Sequence, residues 1–335
     1  MDLPQPYLLF LGDTTEKGYA KTAFGLRDWA AERCVGEWSC AGATVTTGLV
    51  RLTPKEARAR GARALVIGVA NTGGVISESW IPSLVEALES GLDLISGMHA
   101  KLGGIALLKN TAERHGRRLI DVRTPPQNIP IASGRKRLGK RLLTVGTDCA
   151  IGKKYAALAL ARAFAQRGVP VDFRATGQTG ILIAGGGLPM DAVVADFEAG
   201  AAEMLSPDAD ARHWDVIEGQ GSLFHPAYAA VSLGLLHGSQ PDVIVVCHDP
   251  DRTHILGYPD YPLPTIAETI DLNLRLGQRT NASIRCAGVS VNTSALHADH
   301  ASRLLAEESA RLGLPVADPM RAGAPFDRLV DACLA

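Results

Sequence analysis

Short apolar runs alternate with segments of helical spacing along almost the whole chain. In the first half, Tyr7–Leu11, Ala64–Ala70, Leu92–Ile95 and Leu119–Val122 read as largely buried strands. Each ends in turn-forming or polar residues: Gly12–Lys17, Asn71–Gly74, Ser96–His99 and Arg123. Between them Lys21–Arg33, Trp80–Ser90 and Lys101–His115 have helical spacing, with Ala23, Leu26 and Ala30 on one face. In the second half the expected strands are Leu142–Val145, Val171–Arg174, Asp215–Ile217, Val243–Cys247, Ile284–Val291 and Leu314–Val316. The helices expected among them are the segment opened by Lys153, then Met190–Leu205, Thr265–Leu276 and Ala295–Leu312.

Strands that alternate with helices predict parallel sheets, and parallel sheets bind ligands at the carboxyl ends of their strands. The reading is α/β: a Rossmann-like domain over 1–130, a proline-flanked linker at 131–138 and a second parallel domain over 139–335. A length of 335 residues suits two such domains. Net charge of −1 and a pI near 6.8 argue against nucleic-acid binding. No apolar run approaches a membrane span, and the start of the chain lacks the pattern of a secretion signal. The six cysteines are scattered without zinc-type pairing, which fits a reducing cytoplasm. No G-x-G-x-x-G fingerprint is present, so nicotinamide dinucleotides are not expected. Small-molecule substrates are expected, in a homo-oligomer.

The strongest chemical signal is strand, glycine loop, helix at 142–167. Gly146-Thr147-Asp148-Cys149-Ala150-Ile151-Gly152-Lys153-Lys154 is a phosphate loop one residue longer than G-x-x-x-x-G-K-[ST]. Backbone N–H groups of such a loop, with those of the first helical turn, converge on an anion, and Lys153 reaches round it. Lys154 takes the place of the hydroxyl that normally ligates the Mg²⁺ of a nucleoside triphosphate, and an ammonium cannot ligate a metal. Phosphate binding without a metal is therefore expected.

Other strand ends carry reactive groups. Glu218-Gly219-Gln220-Gly221 offers a carboxylate to accept a proton, and Asp148 lies within the phosphate loop itself. Arg174, Gln178 and Thr179 form the expected second anion loop, and Arg123 offers another guanidinium for a substrate carboxylate. Residues 247–264 read as a long irregular functional loop with His248, Asp249, Arg252, His254 and Tyr258. The basic run Ser133–Arg141 leads into the phosphate loop and offers further anion ligands, and Asn292 follows a strand. His225, His237, His297 and His300 are read as structural.

The loop resembles the GTD-x-x-x-GKT loop of dethiobiotin synthetase and its P-loop NTPase-like relatives, whose E-G-A-G segment is similar to Glu218-Gly-Gln-Gly. Asn292 occupies the place where those relatives recognise the nucleotide base. Over both domains the chain resembles the D-glutamate N-acetyltransferases of the DgcN type, through Gly146–Lys154, Arg174–Gly180, Glu218–Ser222 and His248–Pro264. That resemblance implies acetyl-CoA as donor, D-glutamate as acceptor and N-acetyl-D-glutamate as product. Glu218, Asp148 and His248 are then the expected catalytic groups. The donor would lie on Gly146, Thr147, Cys149, Ala150, Ile151, Gly152, Lys153, Lys154 and Asn292, and the substrate on Arg174, Gln178, Thr179, Arg123 and Arg252. No metal ligand is expected. The competing readings are an ATP- and Mg²⁺-dependent carboxylate kinase or ligase, and a nucleotide-sensing module without turnover.

Overall fold

The computed structural model describes Asp2–Ala335, with Thr72 described by its backbone alone. The chain forms two compact units, one of Met1–Pro125 with Gly177–Pro189 and one of Pro126–Thr176 with Met190–Ala335. The first contains β1 (Tyr7–Phe10), α1 (Lys21–Trp29), β2 (Cys34–Trp38), α2 (Pro54–Ala59) and β3 (Ala64–Ile67). It continues through α3 (Ile81–Glu89), β4 (Asp93–Ser96), α4 (Ala106–His115) and β5 (Leu119–Asp121). Its five strands are all parallel in the order β2-β1-β3-β4-β5. β1, β3 and β4 are buried along their whole length, as strands covered on both faces must be.

The second unit opens with β6 (Lys140–Gly146), α5 (Lys153–Gln166) and β7 (Val171–Arg174). The chain then returns to the first unit for α6 (Gln178–Ala184). Back in the second unit follow α7 (Glu198–Leu205), β8 (Trp214–Ile217), α8 (Ala229–Ser239) and β9 (Val243–His248). A hairpin of β10 (His254–Ile255) and β11 (Tyr258–Pro262) precedes α9 (Ile266–Gly277), β12 (Arg285–Val291), α10 (Ala298–Leu312), β13 (Val316–Ala317) and α11 (Ala324–Leu334). The six-stranded sheet is parallel throughout, ordered β13-β12-β9-β6-β8-β7. α5 leads away from β6 to one edge, and α8 carries the chain across to β9 on the other side. The order therefore reverses between β6 and β9, where open parallel sheets leave a crevice for ligands. α5 packs Ala157, Leu160 and Phe164 on Leu142, Val216 and Val243 of the sheet. α9 starts on a capping box, Thr265 accepting from the Glu268 N–H at 3.1 Å and Glu268 from the Thr265 N–H at 2.8 Å.

Several expectations need correction. The helix expected over Met190–Leu205 is two 3₁₀ turns followed by α7, and the break falls at Val194, whose backbone is extended (φ −66°, ψ 136°). The stretch from Gln178 is the first turn of a helix rather than a loop. Residues 247–264 are not irregular, since they contain the antiparallel β10–β11 pair. The basic run is structural where it is buried. Arg137 donates to the carbonyls of Ser206 and Gly238, both at 2.7 Å, and Arg141 to those of Arg137, Gly139 and Pro207. Burial pushes Arg137 down to about 10. β2 carried no usable alternation, because Glu37 on it is buried and satisfied by Thr46 and by the N–H and hydroxyl of Thr47.

The contact of α7 with α8 relies on glycine. A Cβ at Gly238 would strike the Ala199 carbonyl oxygen, and backbone cannot swing aside. Gly238→Ala is expected to destabilise the protein by roughly 1–3 kcal/mol. Gly18→Ala, at a position with open space, should cost far less. Urea denaturation midpoints of the two variants check this.

Candidate active site

The phosphate loop leaves the carboxyl end of β6, the strand bonded to β9 on one side and β8 on the other. Two backbone conformations shape it. Ala150 has φ 53° and Gly152 φ 108°, values at which the chain turns back on itself. Gly152 is also the N-cap of α5 and brings no side chain to cap it, so the first-turn N–H groups face a ligand site. Gly146 packs closely on Ile151, whose Cδ1 lies 2.5 Å from where a Cβ would stand. The Thr147 N–H bonds the Cys247 carbonyl at 3.1 Å, and the Ser222 hydroxyl donates to the Thr147 carbonyl at 3.2 Å.

Lys153 is buried and donates from Nζ to the Asp148 carbonyl oxygen at 2.6 Å. Burial lowers its pKa, opposed by the nearby Cys149, Cys247 and Asp148. A bound anion would offset that burial. The loop therefore fits a phosphorylated ligand. Lys154 follows on the first turn, its ammonium 5.3 Å from the Tyr155 ring centroid.

Asp148 is fully buried, with both carboxylate oxygens taken. Oδ1 accepts from the Cys149 N–H at 2.6 Å, and Oδ2 accepts from Arg252 and from the Leu256 N–H, both at 2.8 Å. Arg252 also donates to the Cys149 carbonyl at 2.7 Å. This arrangement suits holding the loop rather than taking a proton.

The two side chains expected to accept a proton, Glu218 and His248, flank the loop. Glu218, at the end of β8, is buried and accepts from the Thr176 N–H at 3.0 Å, while its own carbonyl accepts from the Thr176 hydroxyl at 2.6 Å. Gly219 donates to the Thr144 hydroxyl at 3.0 Å, and a side chain here would meet the Thr144 carbonyl. His248, at the end of β9, has Nδ1 3.2 Å from the Thr147 hydroxyl. Burial lowers its pKa, with Asp249 acting the other way, so the neutral imidazole is favoured. Asn292, at the end of the next strand β12, donates its N–H to the His248 carbonyl at 2.9 Å.

The expected substrate ligands divide. Arg174 is tied to Asp215 at 2.7 Å and Asp172 at 2.9 Å. In the first unit the Thr179 hydroxyl pairs with Thr22 at 3.0 Å and is buried, so it joins α6 to α1. Arg123 contacts the His99 ring. With the Gln178 amide turned so that its nitrogen donates to the Gly97 carbonyl (2.9 Å), its oxygen accepts from Arg123 at 3.2 Å. His225 was missed as a partner in the site. Its Nδ1 accepts the Ala227 N–H at 3.1 Å and its Nε2 faces the Leu256 carbonyl at 3.3 Å. Only spatial proximity to the hairpin reveals that role.

Among the described residues, two clusters have the composition of metal sites, Asp148–Cys149–His225 and Asp172–His213–Asp215. In the first, both ring nitrogens of His225 and both oxygens of Asp148 are already engaged. In the second, the Arg174 guanidinium occupies the position a cation would take.

Residues 130–330 match the P-loop domain of the DUF1611 family, described as a domain of unknown function, and residues 33–125 match its Rossmann-like N-terminal domain. A protein of Tritonibacter scottomollicae named D-glutamate N-acetyltransferase is 52% identical over 330 residues, covering 98% of each chain. One from Pseudoalteromonas sp of the same name is 49% identical over 323 residues, covering 96% of this chain and 97% of that one. The crystal structure of a DUF1611 family protein from Anabaena variabilis ATCC 29413 superposes with a TM-score of 0.87. It is 35% identical, over 98% of this chain and 99% of that one.

The depressed pKa of His248 has a sign that can be measured. Between its folded value and the ordinary 6.5, the unfolded chain binds more protons than the native one. The stability due to the neutral imidazole is thus complete above 6.5 and declines as pH falls through that window. His248→Asn should flatten this part of the profile, as urea midpoints at about pH 5 and about pH 7.5 would show. An NMR titration placing His248 at or above 6.5 would contradict the assignment.

Proposed function

The chain belongs to the DUF1611 family, and from its likeness to two relatives named D-glutamate N-acetyltransferase we propose that it is one: it moves the acetyl group of acetyl-CoA to the amine of D-glutamate. The observation that carries the reading is the identity of about half of all residues, over nearly full length, to two proteins of that name. The phosphate loop supports the donor class. Coenzyme A carries a diphosphate and needs no catalytic metal, and Lys153 and Lys154 supply two ammonium groups where a triphosphate site would keep one and a hydroxyl. The donor is proposed to lie along Gly146–Lys154, with Asn292 beside it.

The acceptor arrives as an ammonium and must lose a proton before its nitrogen attacks the thioester carbon. Glu218 is proposed to take that proton, with the neutral His248 as the acceptor on the other side of the loop. The new C–N bond forms, the C–S bond breaks, and coenzyme A leaves as a thiolate that then collects a proton.

No helix among the described residues is long and apolar enough to cross a membrane, and all six cysteines are free. The free cysteines suit the proposed cytoplasmic site of action on small molecules, in a proposed homo-oligomer.

Incubation with D-glutamate and acetyl-CoA should release free thiol, whereas ATP with Mg²⁺ and D-glutamate should release no phosphate. The reverse result would favour a carboxylate kinase. Glu218→Gln is expected to lower kcat by about 10²–10⁴-fold while acetyl-CoA binding persists. Full turnover in Glu218→Gln would move the proton to His248, which His248→Gln then tests.

A further inference from the structure

Asp148 sits inside a loop whose purpose is to hold anions, and a carboxylate there opposes the charge the loop receives. Its contacts show what it does instead. Through Oδ2 it grips Arg252 and the main-chain N–H of Leu256, both at 2.8 Å, while Oδ1 stays on the Cys149 N–H of the loop at 2.6 Å. Leu256 is at the turn between β10 and β11, next to Gly257 with φ 82°. On its other side, the Leu256 carbonyl faces His225 at 3.3 Å. The His225 ring packs against Tyr228 at 4.5 Å and Tyr258 at 5.2 Å between centroids. One buried carboxylate thus joins the phosphate loop to a hairpin that carries an aromatic row. A shallow, open depression is lined by Asp249 and residues 251–259. Leu256, beside the turn, and Tyr261, on β11, are each 51% exposed.

We infer that the β10–β11 hairpin is the part of the donor site that lies beyond the diphosphate. It receives the less polar portion of a long phosphorylated carrier, and Asp148 is the positioning residue that fixes it to the loop, so that one ligand engages both. The inference rests on the reading that the loop holds the donor's diphosphate. Asp148 then takes no proton. Its work is to hold Arg252 and Leu256 in register with the loop, and removing its charge loosens the hairpin while the loop glycines and Lys153 remain.

Two probes separate the hairpin from the loop. Pyrophosphate reaches only the loop, whereas coenzyme A reaches both. By calorimetry, Asp148→Asn and Arg252→Gln should each weaken coenzyme A about tenfold, the loss of one charge-assisted hydrogen bond. Pyrophosphate binding should change less than twofold, and the double variant should be no worse than either single one. Hydrogen exchange at 254–262 should slow in the wild type with coenzyme A, but not with pyrophosphate. Should Asp148→Asn fail to fold, Arg252→Gln and the exposed-site variant Leu256→Ser give the same discrimination. Equal weakening of both probes would reduce Asp148 to a support of the loop and overturn the inference, as would unchanged coenzyme A binding in the variants. A wild type that binds pyrophosphate but not coenzyme A would instead sink the donor reading, and this inference with it.

Discussion

An ammonium group shut away from water is the constraint on which the second unit turns. Lys153 is enclosed at the start of α5, and burial alone favours its neutral form. The loop answers with a carbonyl at 2.6 Å and with a backbone folded tightly enough to bring that carbonyl there. The tight fold needs the left-handed turn at Gly152 and the close approach at Gly146, and both need β6 held between two neighbours. A site so arranged is completed by an anion rather than merely tolerant of one.

The parallel sheet explains why the reactive groups gather. β8, β6, β9 and β12 run the same way, so the residues that end them, Glu218, the phosphate loop, His248 and Asn292, fall on one edge. The order of strands reverses between β6 and β9, which leaves Thr147 and His248 on either side of the crevice, 3.2 Å apart. A carboxylate on one side of the loop and an imidazole on the other are therefore set by strand order alone.

Much of this was legible from residues alone. The glycine spacing of 146–152, the apolar strand before it and the alanine-rich helix after it are local signals, and local signals survive folding. The place of Glu218 and His248 at strand ends could be read from the alternation alone. What stayed hidden was decided by partners distant in the chain. Asp148 read as a possible base until Arg252 and Leu256, more than a hundred residues on, occupied its oxygens. Arg174 read as an anion ligand, but Asp172 and Asp215 hold it. Thr179 read as a polar contact for substrate, yet it spends its hydroxyl on Thr22. β2 hid because Glu37, a charged residue buried within a half-buried strand, breaks the pattern that marks strands.

The return of Gly177–Pro189 to the first unit bears on biogenesis. α6 supplies that unit with Thr179 against Thr22 and with the Ile183 carbonyl that takes Arg33 at 2.6 Å. A ribosome that has delivered only the opening 125 residues has therefore not yet delivered all of that unit. Its last piece emerges after β6, α5 and β7 of the neighbouring sheet, so maturation of the two halves overlaps in time rather than proceeding one after the other.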